Sequence, residues 1–172
     1  QRGLDALVEL SPELADLEWK QALQKLGMTL LSTMGGASGS LFGTLFISMS
    51  KAIDESEPLS QSGFVSAYRQ GVDAVKKRGK ADAGEKTMLD VLIPVADKMQ
   101  QSLELNEGWD VFLENVGQAA EQGMESTRDM LATKGRASYL GEKTIGHIDA
   151  GARTSQLMIC AVVEVIKAGK KL

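Results

Sequence analysis

Three glycines stand within five residues in the segment Gly35-Gly36-Ala37-Ser38-Gly39, and this segment is well suited to chemistry. It separates two stretches, 19–34 and 41–53, whose apolar residues have helical spacing. Glycine loses more backbone entropy on folding than other residues, so the cluster costs stability unless a close approach requires it. Free N–H groups at a helix start bind phosphate, and the helix dipole assists them. The segment alone therefore predicts either a phosphate-binding loop or a tight turn between helices.

Two further connections combine glycines with cations and hydroxyl groups. One covers residues 78–88, and the other covers 134–151, which contains the single histidine, His147. Polar loops as long as the second are usually functional or disordered in compact domains. Alternate loops of an antiparallel bundle lie at the same end, so we expect the three glycine-containing segments to converge on one ligand. A loop histidine more often forms hydrogen bonds or partner contacts, so His147 is not predicted to be catalytic.

The remaining sequence shows helical periodicity and almost no strand signal. Ser60 is a plausible N-cap and Gly79 a plausible C-cap for one helix, whereas Pro94 predicts a kink or a later start for another. The predicted helices are 19–34, 41–53, 60–78, 87–103, 109–131 and 154–167. These elements predict an all-α antiparallel bundle with short loops. Its core is expected to include Leu30, Phe46, Val72, Val91, Trp109, Phe112 and Val116.

Composition excludes several classes of protein. A chain of 172 residues suffices for one domain with a real core. The net charge of −4 and the lack of a basic stripe argue against nucleic-acid binding; the cations at 76–80 are interpreted as dipole partners and solvated surface. The single cysteine, Cys160, lies in an apolar run and is predicted to be a small buried hydrophobe. No apolar run has membrane-spanning length and no signal peptide is recognised, so we expect no membrane and a cytoplasmic location.

Several motifs in order give the chain a resemblance to a known family. They are Gly27-Met28-Thr29-Leu30-Leu31-Ser32, Gly35-Gly36-Ala37-Ser38-Gly39, Leu41-Phe42-Gly43-Thr44, Arg78-Gly79-Lys80-Ala81, Gly84-Glu85-Lys86-Thr87-Met88-Leu89-Asp90 and Lys134-Gly135-Arg136-Ala137-Ser138-Tyr139-Leu140-Gly141-Glu142. With these motifs the chain resembles the ADP-binding (DhaL) subunits of bacterial phosphotransferase-dependent dihydroxyacetone kinases. It also resembles the homologous C-terminal nucleotide domain of ATP-dependent dihydroxyacetone kinases. The resemblance covers nearly the whole chain and implies a barrel of eight amphipathic helices.

The sequence departs from the family pattern at two places. Family members begin with a further helix and a Gly-Asp-x-Asp-His-Gly loop, whose aspartates bind the magnesium ions that hold the nucleotide phosphates. This sequence starts with Gln1-Arg2-Gly3, which is similar to the Arg-Gly that follows that loop. We therefore expect a nucleotide-binding helical domain over 1–172 without the first helix and metal-binding loop, and predict no metal ligands in it. The second departure is Asp149-Ala150-Gly151, where the family often has Asp-Pro-Gly.

The resemblance also implies a set of nucleotide-binding residues. Ala37 and Ser38 would approach the phosphates, and Gly79 and Met88 would line the base and sugar. The remaining implied residues are Arg136, near the phosphates and predicted to be catalytic, and Asp149, Ala150 and Gly151, which would close over the nucleotide.

Each implied role has a simpler structural alternative. Methionines in helical patterns usually belong to the core, so Met88 alone would be read as a core residue. A surface ion pair is the alternative for Arg136. Asp149 either accepts from ribose hydroxyls or only caps the final helix.

The activity that the resemblance implies is a relay of a phosphoryl group. Bound ADP would be phosphorylated to ATP by the phosphohistidine of a phosphotransferase-system partner, and the group would pass to dihydroxyacetone on a second, dihydroxyacetone-binding subunit. Two alternatives to this relay remain open. The chain could instead be the nucleotide domain of an ATP-dependent dihydroxyacetone kinase, or a non-catalytic, nucleotide-sensing interaction module.

Overall fold

A computed structural model describes residues 2–56 and 58–169, in which every regular element is a helix. The all-α prediction is therefore confirmed for this part of the chain, and Gln1, Glu57 and residues 170–172 lie outside it. The chain divides into two compact units, 1–80 and 81–172. The first unit contains α1 (Arg2–Ala15), α2 (Trp19–Thr33), α3 (Gly36–Ala52) and α4 (Gln61–Gly79). The second contains α5 (Leu89–Glu104), α6 (Trp109–Ser126) and α7 (Ala150–Gly169), with 3-10 helices at Thr127–Asp129 and Arg136–Thr144.

Helices α2 and α3 are antiparallel and approach closely at glycines. The Ser50 hydroxyl near the end of α3 donates to the carbonyl of Lys20 at the start of α2, 2.7 Å away. Between these ends, a Cβ added at Gly27 would lie 2.9 Å from the Gly43 carbonyl oxygen. Real Cβ atoms essentially never approach an atom so closely, so this crossing requires a residue without a side chain. The predicted antiparallel order therefore holds for this pair.

Helix α4 returns antiparallel along α3. A Cβ at Gly71 would lie 2.9 Å from the Leu45 carbonyl oxygen, so this crossing also depends on glycine. Ser60 is confirmed as the N-cap, because its hydroxyl accepts from the Gly63 N–H at 3.1 Å. The predicted C-cap is wrong by one residue. Gly79 is the last helical residue, and Lys80 takes the left-handed conformation with φ 47°.

Helices α5 and α6 form the antiparallel pair on which the second unit is built. Pro94 lies inside α5 and has no N–H with which to bond the carbonyl of Asp90, four residues earlier. Gly123 of α6 packs against that same carbonyl, since a Cβ there would lie 2.4 Å from the oxygen. Helix α5 begins at Leu89, later than predicted, with Pro94 still within it. The proline and the glycine thus mark one close crossing.

The last helix, α7, packs antiparallel to α6. The Gln156 amide donates to the Glu121 carboxylate at 2.7 Å, and the Arg153 guanidinium lies 3.1 Å from the Met124 sulfur. The predicted bounds need correction here, because α7 begins at Ala150 rather than 154 and α6 ends at Ser126 rather than 131. Helix α1 was not predicted. Its sequence includes Pro12, a residue that usually interrupts the interior of a helix.

Most of the predicted core residues are buried. Those confirmed are Leu30, Val72, Val91, Phe112 and Val116. Phe46 is only half-buried, although it lies on the same side of α3 as the buried Phe42, Leu45 and Met49. Trp109 is also half-buried, stacked on Phe112 with ring centroids 5.2 Å apart.

Cys160 is half-buried, so the prediction of a buried cysteine is wrong. The apolar run of α7 runs around the helix, and part of it faces solvent: Leu157, Val162 and Val165 are all exposed. Among residues 2–56 and 58–169, no helix has the length and apolar character needed to cross a membrane.

The two interior glycines of α6 give a test of the α5–α6 crossing. We expect Gly123→Ala to lower the free energy of unfolding by about 1–3 kcal/mol, because the new methyl group forces the two backbones apart. Gly117 in the same helix has no atom within 4 Å of an added Cβ. The control Gly117→Ala should therefore raise stability by up to about 1 kcal/mol through helix propensity. Urea unfolding followed by circular dichroism measures both; equal effects of the two substitutions would contradict the described crossing.

Candidate functional site

The glycine-rich segment forms the first turn of α3, which corrects the prediction of a loop extending to residue 40. Only Met34 and Gly35 remain between α2 and α3, and the helix begins at Gly36. Gly36 has φ 72°, a conformation that favours glycine. A Cβ at Gly39 would lie 1.9 Å from the Met34 carbonyl oxygen. The glycines therefore let the chain reverse abruptly and start a helix at once.

This helix start has the character of an anion-binding site. The first N–H groups of a helix have no acceptor within the helix. Here the N-cap residue is Gly35, which has no side chain to accept from them. Ala37 and Ser38 in this turn are both exposed. Their backbone groups fit the phosphate-binding role predicted for these two residues, because the dipole adds positive potential at this end.

Arg78 supplies a cation beside the first turn of α3. Its Nε donates to the Ser40 hydroxyl at 2.5 Å, which ties the end of α4 to the start of α3. Gly79, predicted to contact nucleotide, follows directly and is half-buried. The sequence predicts solvated surface for the cations at 76–80 and does not indicate this contact. The Arg78-Gly79-Lys80 motif was present, but only the antiparallel pairing of α3 and α4 shows that Arg78 reaches residue 40.

In the second unit, Met88, Asp149 and Gly151 lie together. A Cβ at Gly151 would lie 3.0 Å from Asp149 Oδ2 and 3.4 Å from the Met88 backbone nitrogen. Met88 is only 4% exposed, so its side chain belongs to the core, the alternative left open by the sequence. Ala150 is exposed at the first position of α7. Thus the start of α5 and the start of α7 bring three of the predicted residues to one place.

Asp149 caps α7. Its Oδ2 accepts from the Ala152 N–H at 2.8 Å, and its own N–H donates to the Thr127 hydroxyl at 3.0 Å. Burial raises the pKa of Asp149 above its ordinary value. The hydrogen bonds from the Ala152 and Gly151 N–H groups oppose this rise, Asp90 adds to it, and Lys86 also opposes it. The capping role is therefore present in the structure, and a ribose contact of Asp149 stays a prediction.

Asp90 organises the connection between α4 and α5. Its carboxylate is buried and accepts from the Gly84 N–H at 2.5 Å and from the Thr87 N–H at 2.7 Å. These bonds fold residues 84–87 over the start of α5 and thereby fix the position of Met88.

Lys86, in the same connection, is 3% exposed. Its ammonium group donates to backbone carbonyls before and within the long segment 134–151. The acceptors are Thr127 at 2.6 Å, Arg128 at 3.3 Å, Met130 at 3.1 Å, Thr144 at 2.7 Å and His147 at 2.5 Å. In the sequence, Lys86 belongs to one of the family motifs, and no role is predicted for it. A lysine among turn residues is predicted to be exposed, and nothing in the sequence indicates its five acceptors.

The long segment 134–151 is more ordered than a loop. Residues Arg136–Thr144 form 3-10 helix with a break at Gly141, whose φ is 55°. Arg136 is exposed, and within the described part of the chain its guanidinium makes no hydrogen bond or ion pair. The surface ion pair is therefore not formed, and the group is available to a ligand. His147 is exposed, and its backbone carbonyl accepts a hydrogen bond from the Lys86 ammonium group.

No set of three His, Cys, Asp or Glu side chains that could hold a metal is present among the described residues. That this chain contributes no metal ligand stays a prediction, as does the convergence of the three glycine-containing segments on one ligand. The predicted nucleotide-binding residues thus lie in both units: Ala37, Ser38 and Gly79 in the first, and Met88, Arg136, Asp149, Ala150 and Gly151 in the second.

Comparison with known proteins gives consistent results. The family model described as DAK2 domain matches residues 1–164. A protein of Escherichia coli K12 named "PEP-dependent dihydroxyacetone kinase, ADP-binding subunit DhaL" is 46% identical over 92% of this chain and 75% of its own length. A Listeria innocua protein named "PEP-dependent dihydroxyacetone kinase 1, ADP-binding subunit DhaL" is 40% identical over 95% of this chain and 76% of its own.

A solved structure agrees on the fold. The crystal structure of the dihydroxyacetone kinase of C. freundii matches with a TM-score of 0.62 and 24% identity, over 86% of this chain and 24% of that chain. At this identity the likeness concerns the fold alone. The family model, in contrast, covers all but the last few residues, and the chain therefore belongs to the DAK2 domain family.

Proposed function

We propose that this protein is the ADP-binding subunit of a phosphoenolpyruvate-dependent dihydroxyacetone kinase. The observation that carries the proposal is the first turn of α3, where the exposed residues Ala37 and Ser38 follow an N-cap without a side chain and Arg78 is held alongside by its bond to Ser40. A helix start of this kind suits the phosphates of a nucleotide. The relatives at 46% and 40% identity are both named as ADP-binding subunits.

The residues of this chain would hold and neutralise the nucleotide. The N–H groups of Ala37 and Ser38 donate to phosphate oxygens, and Arg136 spreads the charge that develops on the transferred group. Asp149 accepts from the ribose, while Gly79, Met88, Ala150 and Gly151 give shape to the region around the base and sugar. When bound, the nucleotide would carry the phosphoryl group, which leaves the phosphohistidine of a partner for ADP and then leaves ATP for dihydroxyacetone on the kinase subunit. No step is assigned to magnesium, for which no ligand is predicted in this chain.

The relatives favour a subunit over a nucleotide domain within a larger kinase. Those named as ADP-binding subunits reach 46% identity, whereas a probable dihydroxyacetone kinase of Dictyostelium discoideum reaches 33%. The partners under this proposal are a dihydroxyacetone-binding subunit and a phosphohistidine phosphotransferase subunit. A cytoplasmic location forms part of the same proposal. A non-catalytic nucleotide sensor would bind ADP in the same way but would never transfer a phosphoryl group.

Transfer of a phosphoryl group from the ATP-loaded protein to dihydroxyacetone tests the proposal. The protein is loaded with ATP, freed of excess nucleotide and mixed with dihydroxyacetone and the dihydroxyacetone-binding subunit of a close relative. We expect one equivalent of dihydroxyacetone phosphate, with further turnover only when the phosphohistidine donor is added. Arg136→Ala should slow the single turnover by roughly a thousandfold, since an arginine at developing phosphoryl charge contributes on this scale.

The control for that experiment is Lys143→Ala, which removes an exposed cation from the same 3-10 segment. It should transfer at the normal rate. Multiple turnovers with free ATP and no donor would instead favour the ATP-dependent kinase. Binding of ADP without any transfer would favour the sensor.

The two glycines flanking the first turn of α3 give a test of the phosphate site. Gly39→Ala places a methyl group against the Met34 carbonyl and should distort the turn, lowering ADP affinity at least tenfold in titration calorimetry. Gly35 has ordinary φ −74° and open space around an added Cβ, so Gly35→Ala should bind ADP normally. Equal affinities for the two variants would exclude this turn as the phosphate site.

Substitutions of Asp149 can separate its capping role from nucleotide binding. An asparagine oxygen still caps the helix, so Asp149→Asn should keep neutral-pH stability, whereas Asp149→Ala loses about 1 kcal/mol. Because the pKa of Asp149 is raised in the folded state, its contribution to stability is complete below the unfolded pKa and is lost as pH rises through the folded value. The stability of Asp149→Asn relative to the original protein should therefore increase from acidic to neutral pH.

The same asparagine variant should bind ADP about five- to tenfold more weakly, since a neutral acceptor replaces a charged one at the ribose. Thermal unfolding across pH and calorimetry at neutral pH measure the two effects. Unchanged ADP affinity would leave Asp149 with the capping role alone.

A further inference from the structure

Lys86 is a buried cation whose charge is met by peptide groups. Its ammonium nitrogen has five carbonyl oxygens between 2.5 and 3.3 Å away. An ammonium carries three hydrogens, so some of these contacts share a proton. Within the described part of the chain, Lys86 forms no ion pair with a carboxylate. A cage of carbonyl oxygens around one positive charge is the arrangement that proteins use for monovalent metal ions, and here the cation is attached to the chain.

The backbone at Lys86 has a conformation that is unusual for a residue with a side chain. Lys86 has φ 58°, in the left-handed region, where a residue with a side chain pays a penalty that glycine avoids. Such a conformation persists where surrounding contacts over-determine it. Glycine would serve this turn better if only the turn mattered, and the five contacts of the ammonium group offset the cost of a lysine here.

The five carbonyls belong to the segments that lead to the start of α7. Three lie at residues 127–130, directly after α6, and two lie at Thr144 and His147. His147 is two residues before Asp149, whose N–H donates to the Thr127 hydroxyl. On its other side, Lys86 is two residues before Met88, against which Gly151 packs. The Lys86 ammonium thus connects the start of α5 to the segments that lead to α7, where Met88, Asp149 and Gly151 lie together.

We propose that Lys86 is a positioning residue for nucleotide binding. Its ammonium acts as a tethered monovalent cation whose carbonyl ligands hold Asp149 and Gly151 at their distance from Met88. The proposal rests on the proposed function, because it assigns the purpose of this rigidity to ADP. A positioning role differs from mere stabilisation of the fold, since the effect of Lys86 is then confined to residues 127–151 and depends on its positive charge.

The first experiment removes the ammonium while relieving the backbone. Lys86→Gly should increase amide hydrogen exchange by about tenfold or more at residues 127–130 and 144–151, since hydrogen bonds from a charged group are lost. Exchange in the middle of α5 and α6 should stay unchanged. ADP affinity measured by calorimetry should fall by about tenfold. Lys143→Ala, which removes an exposed lysine from the same segment, should alter neither measurement.

The second experiment restores the charge from solution. Methylammonium chloride at tens of millimolar should recover protection and ADP affinity in Lys86→Gly, because the cation can enter the vacated cage. Tetramethylammonium, which has no N–H, should have no effect at the same ionic strength. Lys86→Met should resist rescue, because its side chain fills the space. If Lys86→Gly does not fold, Lys86→Gln serves instead; it retains N–H donors without the charge and should also show weakened ADP binding.

Wild-type hydrogen exchange and ADP affinity in Lys86→Gly, or in Lys86→Gln where that variant is used, would overturn the proposal. Loss of protection throughout α5–α7 without rescue by methylammonium would also overturn it, leaving a structural role only. Failure of the proposed function is recognised separately, as absence of ADP binding by the original protein together with normal methylammonium rescue of the exchange pattern. In that case the tethered cation would stand and its link to ADP would fall.

Discussion

Helix backbones in this protein approach one another at glycines, and the positions of the candidate site residues depend on that approach. In the first unit, Gly27, Gly43 and Gly71 lie against backbone carbonyls of neighbouring helices. Because α2, α3 and α4 are held so closely, the start of α3 comes within reach of Arg78 at the end of α4. In the second unit, Gly123 has the same role against Asp90, the residue that folds the connection before Met88. Side chains at these crossings would separate the helices and shift each group that they carry.

Peptide groups provide much of the electrostatics of the candidate site. At the start of α3, N–H groups without a capping side chain present positive potential to an anion. Around Lys86, carbonyl oxygens present negative potential to a cation. Peptide dipoles of this kind are fixed by the fold, so little reorganisation is needed when a charged ligand binds. A chain with a net charge of −4 and no basic stripe can in this way present positive potential at one helix start.

Packing also gives Asp149 a capping role in addition to any contact with nucleotide. The aspartate ends the long polar segment and begins α7, and it lies near both Lys86 and Asp90. Its burial raises its pKa, so the ionised form is held at some cost in stability. The hydrogen bonds from the N–H groups of Gly151 and Ala152, together with the charge of Lys86, offset part of that cost. Residues that stabilise the start of α7 therefore also determine the charge at this position.

The sequence by itself determined the helical class, the cap at Ser60, most of the core and the family. These follow from local spacing, which is set by the period of one helix and by short motifs that do not depend on distant contacts. It did not determine that the glycine cluster is the first turn of α3, since helix propensity alone disfavours glycine there. The sequence also predicts that Phe46, Trp109 and Cys160 are buried, whereas all three are half-buried. Apolar spacing does not show which part of a helix its neighbours cover. The contacts of Arg78 with Ser40 and of Lys86 with five carbonyls join residues 38 to 61 positions apart. Only tertiary structure decided these contacts, because the helices that bring the partners together must first pack.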